Sequence, residues 1–183
     1  MKLKKVVLIC SIIALHVVAN GQGLAIGKGA SMITGLASFT STGSGSGSVR
    51  TNVLTISPSM DYFILNHFFV GGGFSYSNQS MISSTITQLG IGPEIGYAFG
   101  NQDSKAFPYI NAGWNYISTN FNPSNGASSA NGSGVSVGLG MIIPIKSHIG
   151  FVVEGKYNTF SFSEFNESEN IISLNIGIVG LLF

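Results

Sequence analysis

The chain has 183 residues and a formal net charge of +1, and only 8% of its residues are charged while 44% are hydrophobic. A soluble domain typically carries about 25% charged residues, so this composition argues against an ordinary water-soluble globule. The charge balance gives no signature of a nucleic-acid-binding protein, and the length fits one domain.

The first 21 residues predict a secretory signal peptide. Three lysines within the first five residues precede an apolar run over 6–19, and the small residues Ala19 and Gly21 stand at minus three and minus one of the expected cleavage site. We therefore expect a signal peptide at 1–21 and one β-barrel domain at 22–183. Cleavage removes three of the eight Lys and Arg, which leaves five against seven Asp and Glu.

Eight segments with alternating apolar and polar residues follow in chain order. In the second, Leu54 and Ile56 alternate with Thr55 and Ser57, the period of two that is typical of a β-strand. Nearly all exceed the usual strand length, and a transmembrane strand needs about 9–11 residues. The predicted strands are 30–42, 52–64, 68–77, 85–99, 107–119, 134–145, 148–160 and 171–183.

The connections alternate in length. Short turns follow strands two, four and six, whereas longer polar loops at 41–48, 78–84, 121–133 and 161–170 follow the others. This asymmetry is typical of outer-membrane barrels, in which short turns are periplasmic and long loops extracellular. No apolar run after the signal reaches the roughly 18 residues of a membrane helix. We predict an all-β fold: an eight-stranded antiparallel up-and-down transmembrane β-barrel whose apolar face meets lipid.

Two strands depart from simple alternation. In strand one, Met32 and Leu36 are apolar on the face opposite Ile33, and in strand eight Val179 and Leu181 are apolar on the polar face. Either a bulge or a buried strand end would account for strand eight.

Two prolines also interrupt the pattern. Pro58 and Pro93 lie within predicted strands and lack the N–H that a ladder requires. We therefore expect a bulge or a local break in the pairing near each proline.

Aromatic residues cluster on the apolar parity near both ends of the strands, as in the aromatic belts of membrane interfaces. The predicted interfacial aromatics are Tyr62, Phe68, Tyr97 and Phe99 toward the short turns, and Tyr76, Trp114, Tyr116 and Tyr157 toward the long loops.

Several charged residues fall on the opposite parity, which faces the lumen. They are Asp61, Glu94, Glu154 and Lys156, with Arg50 near the outer end of strand two. An eight-stranded lumen is just wide enough to be filled by side chains, and buried charges need partners. We interpret these residues as an internal charge network, and an ion or proton path is the alternative.

Five features resemble the small outer-membrane β-barrel domain family of Gram-negative bacteria, often described as porin-like. They are the signal, the 51–63 run with Ser57-Pro58-Ser59, the 69–77 strand, the 90–97 strand with Gly92-Pro93, and the terminal Phe183. The resemblance implies residence in outer-membrane lipid. It also implies assembly by the outer-membrane insertion machinery, which is thought to recognise a last strand ending in Phe; Phe183 would be that assembly signal.

We expect a structural or surface-interaction role in the cell outer membrane, with a possible surface ligand bound by the extracellular loops. The alternatives are a porin-like channel for small solutes and a soluble barrel that binds an apolar ligand. No catalytic residue, metal ligand or cofactor is predicted, because no Ser, His and acid set converges and His67 and His148 both lie at predicted short turns.

Overall fold

The computed structural model describes residues 26–43, 50–80, 84–101, 104–123, 128–162 and 168–182. The predicted signal peptide and Phe183 lie outside the described residues. The strands form one closed antiparallel barrel in chain order, which confirms the predicted fold class. They are β1 (Ser31–Gly43), β2 (Arg50–Phe63), β3 (Phe68–Ser80), β4 (Ser84–Ala98), β5 (Phe107–Pro123), β6 (Ser128–Lys146), β7 (Ile149–Phe162) and β8 (Ser168–Leu182).

The strands extend further toward the loop ends than predicted. β5 continues to Pro123 and β6 begins at Ser128, so most of the loop predicted at 121–133 is paired strand. Polar residues rich in Ser, Asn and Gly form the same backbone ladder once they lie beyond hydrocarbon. The apolar alternation therefore ends where lipid contact ends, whereas the hydrogen-bonded ladder continues.

The two faces of the barrel have the predicted orientation. Leu54, Ile91, Val137 and Ile176 are exposed on the outside, whereas Glu154 is buried within the lumen. An apolar exterior of this kind suits the hydrocarbon of a bilayer, because a closed barrel satisfies its backbone groups internally. Within the described residues, no helix is long and apolar enough to cross a membrane.

Each mid-strand proline leaves a short gap in pairing on one side only. β2 and β3 pair at Ile56 and again at Ser59 in the same register, so the gap spans Ser57 and Pro58. β4 and β5 show the same gap across Gly92 and Pro93. The expected local break is therefore present at both prolines, without a bulge at either. A register shift occurs instead between Pro144 and Lys146.

A hydrophobic cluster fills the lumen at the short-turn end, where the sequence suggested a polar interior. Phe63 and Phe69 pack edge to face with ring centroids 5.5 Å apart. The turn before β1 covers them, since the Gly29 amide donates to the Phe63 carbonyl and the Phe63 amide to the Ala30 carbonyl. The members of this apolar cluster are Ile26, Ala30, Met32, Leu36, Phe63, Phe69, Ala98, Phe107, Tyr109, Ile142, Val152, Val179 and Leu181.

The apolar cluster explains the irregular strands. Met32, Leu36, Val179 and Leu181 all point into it, and the paired stretch of β1 with β8 keeps a constant register. The end of β8 is therefore a buried end without a bulge. Inward apolar residues are tolerated there because the cluster excludes water from this part of the lumen.

Neighbouring leucines test this assignment. Leu181 is 1% exposed and Leu182 is 58% exposed. We expect Leu181→Ala to lower the free energy of unfolding by about 2–5 kcal/mol, because it leaves a cavity in a packed interior. Leu182→Ala is the matched control; its loss should be smaller, since acyl chains can fill the space. Urea titration of both variants in vesicles measures the difference, and equal losses would contradict the assignment.

Candidate functional site

Four charged side chains meet in the lumen beside the apolar cluster. Asp61 lies on β2, Glu94 on β4, and Glu154 and Lys156 on β7. The Lys156 ammonium is 3.7 Å from Glu94 Oε2 and 4.0 Å from Glu154 Oε1. The Ser59 hydroxyl donates to Asp61 Oδ2 over 3.3 Å. We call these four charged residues the charge cluster.

The fifth charged residue of the predicted network remains untested. Arg50 begins β2 and its backbone is opposite Gly43, but its side chain lies outside the described residues. Its membership of the network stays a prediction.

Glu154 is the best-coordinated member of the charge cluster. The Tyr109 hydroxyl donates to Oε2 over 2.9 Å, the Asn111 amide to Oε2 over 3.0 Å, and the Asn175 amide to Oε1 over 3.5 Å. Together with Lys156, these donors surround a carboxylate that is 1% exposed. Charge-assisted hydrogen bonds of this kind offset the cost of removing a carboxylate from water.

Glycines on β6 allow these side chains to reach Glu154. Tyr109 on β5 and Glu154 on β7 both pair with Gly140, which lies between them on β6. A Cβ placed on Gly140 would overlap the Tyr109 ring, and one on Gly138 would overlap the Asn111 amide. The absence of side chains at these two positions therefore opens a path across β6.

A third glycine brings two carboxylates together. Asp61 pairs with Gly71 on β3, and Gly71 pairs with Glu94 on β4. A Cβ on Gly71 would overlap the Asp61 carboxylate. Two acidic groups separated by one small residue thus share one region of the lumen.

A cavity of about 190 Å³ lies beside the charge cluster. All four charged residues and Asn111 line it. Among the described residues, Asp61 Oδ1 and Asn111 Oδ1 have no hydrogen-bond partner although both are buried. No group of three or more His, Cys, Asp or Glu in the described part of the chain is placed to hold a metal ion.

The predicted interfacial aromatics all lie on the outward-facing side of the barrel. Phe68 and Tyr76 are half-buried, whereas Tyr62, Tyr97, Phe99, Trp114, Tyr116 and Tyr157 are exposed. Phe99 follows the end of β4, which corrects the predicted strand end. Anchoring at the membrane interfaces stays a prediction for these residues. The assembly signal at Phe183 also stays a prediction, because this residue lies outside the described part.

Sequence reasoning missed the neutral partners of the charge cluster. Tyr109, Asn111 and Asn175 stand on lumen parity, but nothing in the period of two says that they converge on Glu154. Lumen-facing glycines at 138 and 140 were the available signal, because they leave room beside large side chains on neighbouring strands. Similarly, inward apolar residues close to the short turns could have indicated the apolar cluster.

Two glycines on neighbouring strands test the path across β6. Gly140→Ala should displace the Tyr109 ring from Glu154 and lower the free energy of unfolding by about 1–3 kcal/mol, the usual cost of overpacking. Gly155→Ala is the control, because the nearest atom to a Cβ there is the Leu139 carbonyl oxygen at 3.9 Å. Urea unfolding followed by Trp114 fluorescence measures both variants. An unchanged Gly140→Ala midpoint would refute the proposed steric role.

Known structures share this fold. The barrel matches Neisserial surface protein A (18% identity, 85% of this chain, 99% of that chain, TM-score 0.57). It also matches the N-terminal β-barrel domain of Pseudomonas aeruginosa OprF, with 13% identity, 85% of this chain and 99% of that chain covered, and a TM-score of 0.59. The outer membrane protein OprG of the same organism matches with 16% identity, 89% of this chain and 99% of that chain covered, and a TM-score of 0.56. At these identities the likeness establishes fold alone. No curated protein sequence matches the chain.

The sequence itself matches a family profile over most of its length. The profile describes an outer membrane protein beta-barrel domain and covers residues 6–179. Together with the closed eight-stranded barrel and its apolar exterior, this match means that the chain belongs to the outer membrane protein beta-barrel domain family and is a protein of the outer membrane.

Proposed function

We propose that the protein is a non-conducting, non-enzymatic barrel with a structural role in the outer membrane and an interaction surface at its loop end. The apolar cluster is the observation that supports a non-conducting lumen. Phe63, Phe69, Phe107, Val179 and Leu181 are all almost fully buried across the short-turn end of the lumen. An ion or sugar crossing this layer would lose its hydrogen bonds to water without gaining others.

The charge cluster supports a stabilising role in preference to an ion path. Glu154 is bonded to three neutral donors and faces Lys156, so its charge is compensated locally. Removing one partner of such a buried arrangement is typically costly. The cluster would therefore keep neighbouring strands in register around a narrow interior.

The two alternatives are weaker on physical grounds. A channel for small solutes needs a continuous polar path, and the apolar cluster interrupts it. A soluble barrel would place polar residues outside, whereas this exterior is apolar and the chain belongs to an outer-membrane family. The histidines of the described part, His67 and His148, lie at short turns away from the cavity, which favours a role without catalysis.

The surface role rests on the loop end. β5 and β6 continue beyond the apolar band with polar residues, so the barrel would project above the membrane there. Neisserial surface protein A, one of the similar structures, is described as a surface protein. By analogy, the loops within 41–48, 78–84, 121–133 and 161–170 would contact a surface ligand. We also expect the outer-membrane insertion machinery to assemble the barrel.

The conductance of paired variants tests the closed lumen. The wild type should show no steady channels in planar bilayers and no swelling of liposomes in arabinose. A general porin is the positive control in both assays. Phe63→Ala with Phe69→Ala should increase leakage, because this register pair forms part of the apolar cluster. Tyr62→Ala with Val70→Ala is the matched control from the adjacent outward-facing pair. Large wild-type currents would contradict the proposal.

The orientation of the loops can be tested with an inserted epitope. A tag between Asn125 and Gly126 should bind antibody on intact cells, because this segment belongs to a predicted extracellular loop. The same tag between Asn66 and His67, at a short turn, should become accessible only after the outer membrane is permeabilised. The opposite pattern would place the short turns outside.

A further inference from the structure

The exposed lysines of the barrel lie at its short-turn end. The predicted mature chain has four lysines, and Lys156 belongs to the charge cluster inside the lumen. The other three, Lys28, Lys105 and Lys146, are exposed on the surface. They lie in the segment before β1, in the β4–β5 turn and at the end of β6, respectively. We call these three residues the basic rim.

The remaining charges of the mature chain are distributed differently. Asp103, in the same turn as Lys105, is the one acidic residue that the sequence places at the short-turn end. Of the other acidic residues, three belong to the charge cluster and three to the predicted loop at 161–170, with Arg50 also at the loop end. Three lysines against one aspartate therefore make the short-turn end basic, whereas three glutamates against one arginine make the loop end acidic.

The basic rim extends around much of the barrel. The Lys28 amide donates to Asn66 Oδ1 over 3.2 Å, which holds the segment before β1 against the β2–β3 turn. Lys105 precedes β5 by two residues, and Lys146 pairs with Ile149 at the start of β7. Each lysine thus stands beside a different short turn. A positive charge spread in this way suits a ligand that is present in many copies around the barrel.

Outward-facing apolar and aromatic side chains accompany the basic rim. Ile149 is exposed opposite Lys146, and Leu65 is exposed within the β2–β3 turn. Tyr97 and Phe99 are exposed where β4 ends, and their ring centroids are 4.9 Å apart. Lysines next to such residues are typical of a membrane interface, where the lysine stem covers apolar surface and the ammonium reaches the headgroups.

The headgroup layer is the partner that fits these features. The β2–β3 turn spans only 64–67 and the β6–β7 turn only 147–148, so little chain projects into water to receive a soluble partner. The phosphodiester of an anionic phospholipid carries the negative charge that an ammonium attracts. Each lysine near an anionic membrane surface favours association about fivefold, whereas a zwitterionic headgroup has no net charge to offer.

We infer that the basic rim binds the phosphodiester headgroups of anionic phospholipids in the leaflet at the short-turn end. Each lysine enriches anionic lipid in the shell around the apolar exterior, and the acidic loop end has no such preference. The bound headgroups hold the barrel at a fixed depth in the membrane. This surface lies at the opposite end from the proposed loop-end interaction surface, so it does not depend on that role.

Quenching of tryptophan fluorescence by lipid compares the two ends directly. Trp114 is the only tryptophan and belongs to the predicted loop-side belt, so the wild type is the loop-side reporter. Trp114→Phe with Ile149→Trp is the rim reporter, because Ile149 is exposed and pairs with Lys146. Both proteins are placed in mixed vesicles of phosphatidylcholine and phosphatidylglycerol in which one lipid carries brominated chains. Exchanging the brominated lipid gives the relative affinity for the two headgroups.

We expect the rim reporter to favour phosphatidylglycerol about fivefold at low salt, and high salt should screen this preference. The loop-side reporter should show no preference for phosphatidylglycerol. Within the rim reporter, Lys146→Gln should abolish the preference, whereas Lys146→Arg is the matched control and should retain it. Equal preferences in the two reporters, or an unchanged preference in Lys146→Gln, would overturn the inference.

Thermal unfolding tests the three lysines together. Replacing part of the phosphatidylcholine by phosphatidylglycerol should raise the unfolding midpoint of the wild type by about 5 °C, measured by heat-modifiable gel migration. Lys28→Gln, Lys105→Gln and Lys146→Gln combined should lose this rise, and the same three lysines changed to Arg should keep it. All three side chains are exposed, so both variants should fold. An equal rise in both would mean that anionic lipid acts elsewhere on the barrel, which would contradict the inference.

Discussion

Backbone hydrogen bonding within hydrocarbon is the constraint on which this structure depends. Every strand that faces lipid must pair on both sides, and a closed sheet is the arrangement that achieves this without edges. The two mid-strand prolines are accommodated by gaps of two residues that leave the register unchanged. The loop-side half of the β1–β8 junction, where the two strands do not pair, is the larger departure.

The narrow bore of eight strands imposes the second constraint. Large side chains fit inside only where a neighbour is small, so Tyr109 and Asn111 reach Glu154 over glycines. Charged groups fit only where donors or opposite charges surround them. The lumen therefore contains the apolar cluster at the short-turn end and the charge cluster beside it. Its loop-side part holds hydroxyl and amide groups such as Thr55, which is bonded to Ser77, together with the buried side chains of Ile117 and Phe160.

The likeness to known structures extends to the fold alone. The similar structures share the barrel at identities of 13–18%. What they have in common with this chain is a closed sheet that satisfies its backbone hydrogen bonds within the membrane. Individual roles must reside in features that the fold leaves free, namely the loops and the contents of the lumen. In this chain the lumen contains a small cavity lined by the charge cluster.

The sequence alone determined the number of strands, their antiparallel order, the outward face and the outer-membrane class, because alternation with a period of two and the contrast between turns and loops are local properties. It did not determine the loop-side strand ends, since polar residues beyond lipid pair equally well in a ladder. Strand alternation also placed Met32, Val179 and Leu181 on the inner face without indicating that they pack together. Only the tertiary structure decided this, along with the convergence on Glu154 and the partial pairing of β1 with β8, because all three depend on the register between strands, which no single strand encodes.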